Sequence, residues 1–329
     1  MKRTILYDNP PIISGVSTIA GPKECMGHLG KFIEVKLNDD KYDQDTFEKA
    51  ETKMLFTAIV NSIKNAHKKE EDIDTLLAGD LLNQIISATF SARNLNCGYL
   101  GIYNACATFT EAVLIGSSLI DSGNLNNVVC ATSSHFSTAE RQYRYPLELG
   151  STRPPQSQWT VTGAGSLVLS KGENAPKITG GTIGRVIDYG VTDANNMGAA
   201  MAPAAADTIF THFTETNRDP SYYDLIVTGD LGTLGTRILK DLLWEKGYDI
   251  EKQHVDCGEL IYNLKEDEYQ GGSGAGCISV VFCSYLFEKM INKKINKILL
   301  IATGALLSTT SSQQGESIPG IAHAVVVEN

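Results

Sequence analysis

The sequence predicts an α/β fold built from two copies of one unit, and three observations carry that prediction. Ile73–Leu81 resembles Tyr223–Leu231, each an apolar run ending in Gly-Asp-Leu, with Asp80 and Asp230 150 residues apart. Val128–Thr132 resembles Leu299–Thr303 at a spacing of 171. At that second spacing Cys106 falls on Cys277, and each opens a long helical pattern, Cys106–Asp121 and Cys277–Met290. Continuous apolar runs alternating with helical ones mark buried strands covered by helices on both faces. The division falls near Gly172–Ala175, a short polar turn after Val168-Leu169, and gives halves of residues 1–172 and 173–329.

The elements follow in order. Met1–Ile13 carries Lys2 and Arg3 and then Tyr-Asp-Asn-Pro-Pro, so it lacks the apolar core of a signal peptide. An amphipathic helix is expected over Thr46–His67, and a strand ending in Thr132-Ser133-Ser134 leads to His135. Ser151–Pro155 and the Ala-rich run Met197–Ala206 punctuate the middle. A helix is expected over Thr233–Lys246, stopped by Gly247. Gly229–Gly235 has periodic glycines but not the Lys-Ser/Thr of a P-loop, and reads as a tight strand-to-helix turn. The loop Gly271–Gly276 serves either to cradle an anion or to let a helix pack closely. His323 precedes an expected terminal strand at Val325–Val327.

Composition narrows the function. In 329 residues, 28 basic side chains against 38 acidic give a net charge of −10, which disfavours a nucleic-acid surface and direct attraction to anionic lipid. The longest apolar stretches, Ile278–Phe287 and Ile298–Leu307, are half the roughly 20 residues of a membrane helix, so a soluble protein is expected. Seven cysteines without a CxxC pair suggest neither a disulfide framework nor structural zinc. Asn38–Asp45 offers carboxylates but lacks the glycine and terminal Glu of an EF-hand, and reads as an exposed acidic loop. Arg141, Arg144 and Arg153 read as a solvated basic face.

Cys106 is the residue of greatest chemical interest. At a helix head a thiol feels the dipole and unpaired N–H groups, which suits a thioester-forming nucleophile; a small apolar Cys also simply fits where a helix meets a strand.

The duplicated halves, the Cys at a helix head, Thr162–Leu169 and the later glycine loop resemble the thiolase and ketosynthase superfamily over nearly the whole chain. Ala78–Gln84, Ala131–His135, Gln158–Gly165, Asn195–Pro203 and Gln314–His323 are similar to a family of stage V sporulation proteins from endospore-forming bacteria within that superfamily. The resemblance implies a thiolase-like fold, two duplicated halves packed as an α-β-α-β-α sandwich, and a symmetric homodimer. It also implies a protein that binds dipicolinic acid and supports its uptake, with calcium, into the developing spore. Integral membrane subunits of a sporulation complex would then hold it at the forespore or spore inner membrane.

In the superfamily's enzymes the Cys works with a His and with a second His or an Asn. Matching the strands puts Asp230 where the first belongs and Gly272 or Ser273 where the second belongs. A carboxylate beside Cys106 disfavours the thiolate and has no proton for an oxyanion, so condensation is not expected. His135 and His323 are the histidines that could substitute, each otherwise satisfied by backbone hydrogen bonds. The expectation is thus a non-catalytic binding protein requiring no cofactor. Its ligand would meet Cys106, Asp230, Ser273, Gly274, His135 and His323, with Ca²⁺ carried by dipicolinate bridging to Asp230 and N–H groups at Cys106 and Gly274 facing the anion. The alternative is an acyltransferase or 3-ketoacyl synthase using Cys106.

Overall fold

The computed structural model describes residues 2–144, 153–263 and 270–329, so Ser151 and Thr152 of the expected punctuation lie outside the described residues. Among the described residues the first half supplies five strands to the main order, β1 (Ile12–Ala20), β2 (Thr75–Gly79), β3 (Gly98–Gly101), β4 (Asn127–Ser134) and β5 (Gly163–Ser170), besides the short strands Thr4–Leu6 and Val35–Lys36 at its side. The second supplies β6 (Lys177–Thr182), β7 (Leu225–Thr228), β8 (His254–Asp256), β9 (Lys297–Ala305) and β10 (Gly320–Glu328). The sheet order is β8-β7-β9-β10-β6-β1-β5-β4-β2-β3. Each half thus has the same order, first-last-fourth-second-third, with the same pairing: parallel between its second, third and fourth strands and antiparallel on either side of its last. The two fives meet at the pairing of Ile12 with Lys177, and the short strand Thr4–Leu6 of the first half adds a second junction by pairing antiparallel with Gly180–Thr182 of β6.

Helices form the other layers. α1 (Phe47–Asn65) covers β1, β5 and β4 from outside, and Thr46 caps it by accepting from the Lys49 N–H. α4 (Met197–Thr216), with α5 (Gly232–Trp244) against it, covers β10 and β9. Between the sheets lie α2 (Thr108–Asp121) and α6 (Ala275–Val281), the latter running through a π-helical stretch Phe282–Leu286 into Phe287–Ile291. α2 touches strands of both sheets, and the Phe109 and Phe282 rings meet 6.2 Å apart in this central layer. Burying each such ring contributes roughly 1.5–3 kcal/mol, which is why the sequence runs apolar on all sides here. α3 (Phe136–Tyr143) follows β4.

Several expected boundaries shift. α2 begins at Thr108 rather than Cys106: Ala105 is left-handed (φ 50°) and Cys106 sits in the turn that the Ala107 N–H closes on the Asn104 carbonyl before the helix starts. α6 begins at Ala275, just after Gly274 at φ 109°, so Cys277 sits within its first turn. Much of the Gly271–Gly276 loop is regular: Gly272–Ser273 pairs with Trp159–Thr160. His323 lies inside β10 rather than before it, paired opposite Ala302.

Candidate ligand-binding site

The end of β7 and the loop before α2 face each other where the two halves join. The loop reaches this place because Gly304 of β9 has no side chain: a Cβ there would stand 2.5 Å from the Asn104 carbonyl oxygen. Cys106, 7 % exposed, is thereby set against Asp230, and the thiol and carboxyl share a hydrogen bond. Burial pushes the thiol well above its usual range and the Asp230 charge raises it further, against smaller opposing effects of the Gly274 N–H and Arg144. Asp230 is itself pushed up to about 6 by burial, opposed by the hydrogen bonds it accepts. Its Oδ1 accepts from Thr303 Oγ1 (2.6 Å) and its Oδ2 from the Gly274 N–H (3.0 Å). Gln158 Nε2 donates to the carbonyls of Asp230 and Gly272, tying β7 to the Gly272–Ser273 strand.

Cys106, Ser273 and Gly274 line one pocket, together with Tyr103, Tyr143 and Arg144. Its free space is about 30 Å³, room for little more than a water. Tyr103 and Tyr143, whose hydroxyls are 3.2 Å apart, separate it from an outer depression of about 450 Å³ that also borders Gln84 and Thr309.

Other expected groups are placed differently. Asp230 stands behind Cys106 and does not line the pocket, and each of its oxygens already accepts one hydrogen bond. The Gly274 N–H donates to Asp230 and the Gly276 N–H to Ser134 Oγ, so each already has an acceptor within the protein. His135 is fully buried: its Nε2–H donates to the Asp40 carbonyl (2.7 Å) and its Nδ1 accepts from the Ser137 N–H, capping α3 as a neutral ring. Burial lowers its pKa. His323 accepts the Gly184 N–H at Nδ1, so its proton is on Nε2, 3.2 Å from the Asn104 side-chain amide, which can receive it only through its oxygen, the amide O and N being exchanged by a flip. Burial pushes it down to about 4. Neither histidine lines the Cys106 pocket.

The basic cluster is also different from its expected solvated face. Arg141, half exposed, pairs with Glu48, but the side chains of Arg144 and Arg153 are only 4 % and 12 % exposed and both pair with Glu140. The Glu140-Arg144 spacing of four residues on a helix is a legible pairing signal; the burial of Arg144 in the pocket is not, because it depends on Tyr103, Met197 and Gly274 from distant parts of the chain. Among the described residues, no group of three or more His, Cys, Asp or Glu is placed to hold a metal ion, and no helix is long and apolar enough to cross a membrane.

The model of the stage V sporulation protein AD family matches residues 1–328. The chain belongs to that family. It is 44 % identical to the stage V sporulation protein AD of Bacillus subtilis (strain 168) over 327 residues, 99 % of this chain and 97 % of that protein. The sporulation resemblance legible in the sequence is therefore correct. Among solved structures, the fold is similar to cerulenin-bound OleA of Xanthomonas campestris (TM-score 0.65, 14 % identity, 99 % of this chain and 100 % of that one). It is likewise similar to 3-oxoacyl-[acyl-carrier-protein] synthase III of Aquifex aeolicus VF5 (TM-score 0.58, 15 % identity, 97 % and 100 %). These identities speak for the thiolase-like fold alone, as the superfamily resemblance implied.

Proposed function

We propose that this family member is a binding protein rather than a condensing enzyme. Its Cys106 pocket takes dipicolinic acid, free or as the calcium chelate, in support of uptake into the developing spore. The observation that carries the first half of this reading is Asp230 beside Cys106. A nucleophilic thiol needs a neighbour that accepts its proton and stabilises the thiolate; a buried carboxyl that bonds the thiol and raises its pKa does the opposite. Dipicolinate itself comes from the family resemblance, and the pocket's character suits it: two tyrosines, the polar residues Thr160 and Ser273, and Arg144.

A ring with two carboxylates is larger than the free space beside Cys106, so binding requires the Tyr103/Tyr143 partition to give way toward the outer depression. The expectation that Asp230 supplies an oxygen to ligand-borne calcium meets a physical objection, since Asp230 does not line the pocket and Cys106 stands between. We place the calcium of a bound chelate toward the outer depression instead. A homodimer, and attachment to the spore inner membrane through integral subunits of the sporulation complex, belong to the same proposal, motivated by the family likeness and by the net charge of −10.

Calorimetry of dipicolinate with and without Ca²⁺, on wild type and Asp230→Asn, tests this reading. We expect binding in every combination, with the same calcium dependence in both proteins. No binding in any combination would overturn the ligand assignment, and a calcium effect lost in Asp230→Asn would restore Asp230 as a calcium ligand.

A further inference from the structure

The next step rests on the binding reading above and concerns how the pocket recognises an anion. One oxygen of the buried Glu140, Oε2, accepts from both Arg144 (3.0 Å) and Arg153 (2.7 Å). Among the described residues two guanidinium groups therefore share one carboxylate, which leaves one positive charge without a carboxylate of its own. Arg153 has both terminal nitrogens engaged, one donating to Glu140 and the other to the Gln158 carbonyl, and its guanidinium lies over the rings of Phe136 and Trp159, which stack 3.9 Å apart; its Nε, like that of Arg144, is buried without a hydrogen-bond partner. Arg144 is different. Among the described residues its second terminal nitrogen meets only Met197 Sδ, a weak acceptor at 3.8 Å, where that of Arg153 has a carbonyl. A buried guanidinium with unfilled donors is costly unless something else completes it.

Position agrees with chemistry. Arg144 lines the Cys106 pocket on one side and, with Tyr143 and Thr309, which also border the larger outer depression, a second and smaller depression of about 190 Å³ on the other. A ligand passing from outside toward Cys106 meets it on the way.

We infer that Arg144 is the residue that takes a carboxylate of the ligand, held in place by Glu140 and carrying the charge that Arg153 leaves unbalanced. The site then recognises carboxylate as such, rather than a flat ring of the right outline. A guanidinium fork suits this better than an ammonium, because it can offer parallel N–H groups to one carboxylate.

The test compares dipicolinate with pyridine-2,6-dicarboxamide, a neutral molecule of nearly the same shape, by calorimetry in EDTA. Wild type is expected to prefer the carboxylate roughly 10- to 100-fold, the range for charge-assisted hydrogen bonds. Arg144→Gln should bring the ratio close to one with little change for the diamide, and Arg144→Lys should leave an intermediate ratio. Thermal melts identify variants that fold; if the glutamine variant does not, the lysine variant decides alone. A folded variant that keeps the wild-type ratio overturns the role of Arg144 and leaves dipicolinate binding intact. If wild type binds neither compound, the binding reading fails and this one with it.

Discussion

A single exchange of side-chain chemistry decides what the Cys106 thiol can do. With Asp230 against it the thiol is held protonated, and removing that charge should release it. Asp230→Asn should therefore speed alkylation of Cys106 by iodoacetamide at pH 8, about tenfold for each unit by which the thiol pKa falls. Intact-mass analysis follows the adduct, with Cys106→Ala as the blank, and wild type should stay unmodified by acyl-CoA thioesters. An unchanged alkylation rate would show that burial alone silences the thiol. The meeting of Cys106 and Asp230 was legible in the sequence through the spacing of strand ends and the family pattern. Arg144 was not, since a charged residue among charged neighbours reads as surface until the fold brings Tyr103 and Met197 around it. For the histidines the sequence left the backbone-satisfied reading open, but the partners, the Asp40 carbonyl for His135 and the Gly184 N–H for His323, are remote from them in the chain.

Elements were easier to read than their ends. Long apolar periodicity located α1, α2 and the paired strands, but the starts of α2 and α6 follow left-handed backbone at Ala105 and Gly274, which periodicity does not register. These ends are where the site is built. The loop before α2 lies on β9 only because residue 304 is glycine, and the nearest obstacle to a side chain there is backbone, which cannot swing aside. Gly304→Ala is expected to lose about 1–3 kcal/mol in urea denaturation. It should also weaken dipicolinate binding, since Asn104 and Cys106 must shift together. A variant as stable as wild type would mean that the loop has a second seating.

At the scale of the whole molecule, buried ionisable groups set the response to pH. Glu24, Glu51 and Asp256 are pushed up to about 7, 8 and 7, chiefly by burial. Each holds its proton in the native state longer than in the unfolded chain, so its contribution is full below the ordinary carboxyl range and is lost as pH rises through 7 to 8. His212, His254 and His323 are pushed down to about 3, 3 and 4, again by burial, so their contribution is present above about pH 6.5 and is lost as pH falls below it. Urea midpoints should therefore drop between pH 6.5 and 8, and Glu51→Gln should flatten that drop; a midpoint that rises over this interval would contradict the assignment. The duplicated architecture itself was visible in two sequence matches. Its strand order also constrains synthesis. The first strand of each half is paired with its last, Ile12 with Ser170 and Lys177 with Glu328, so 158 and 151 residues separate the partners. Neither half can close its sheet until its final strand has left the ribosome, and such distant pairings make folding slow and leave strand edges open meanwhile.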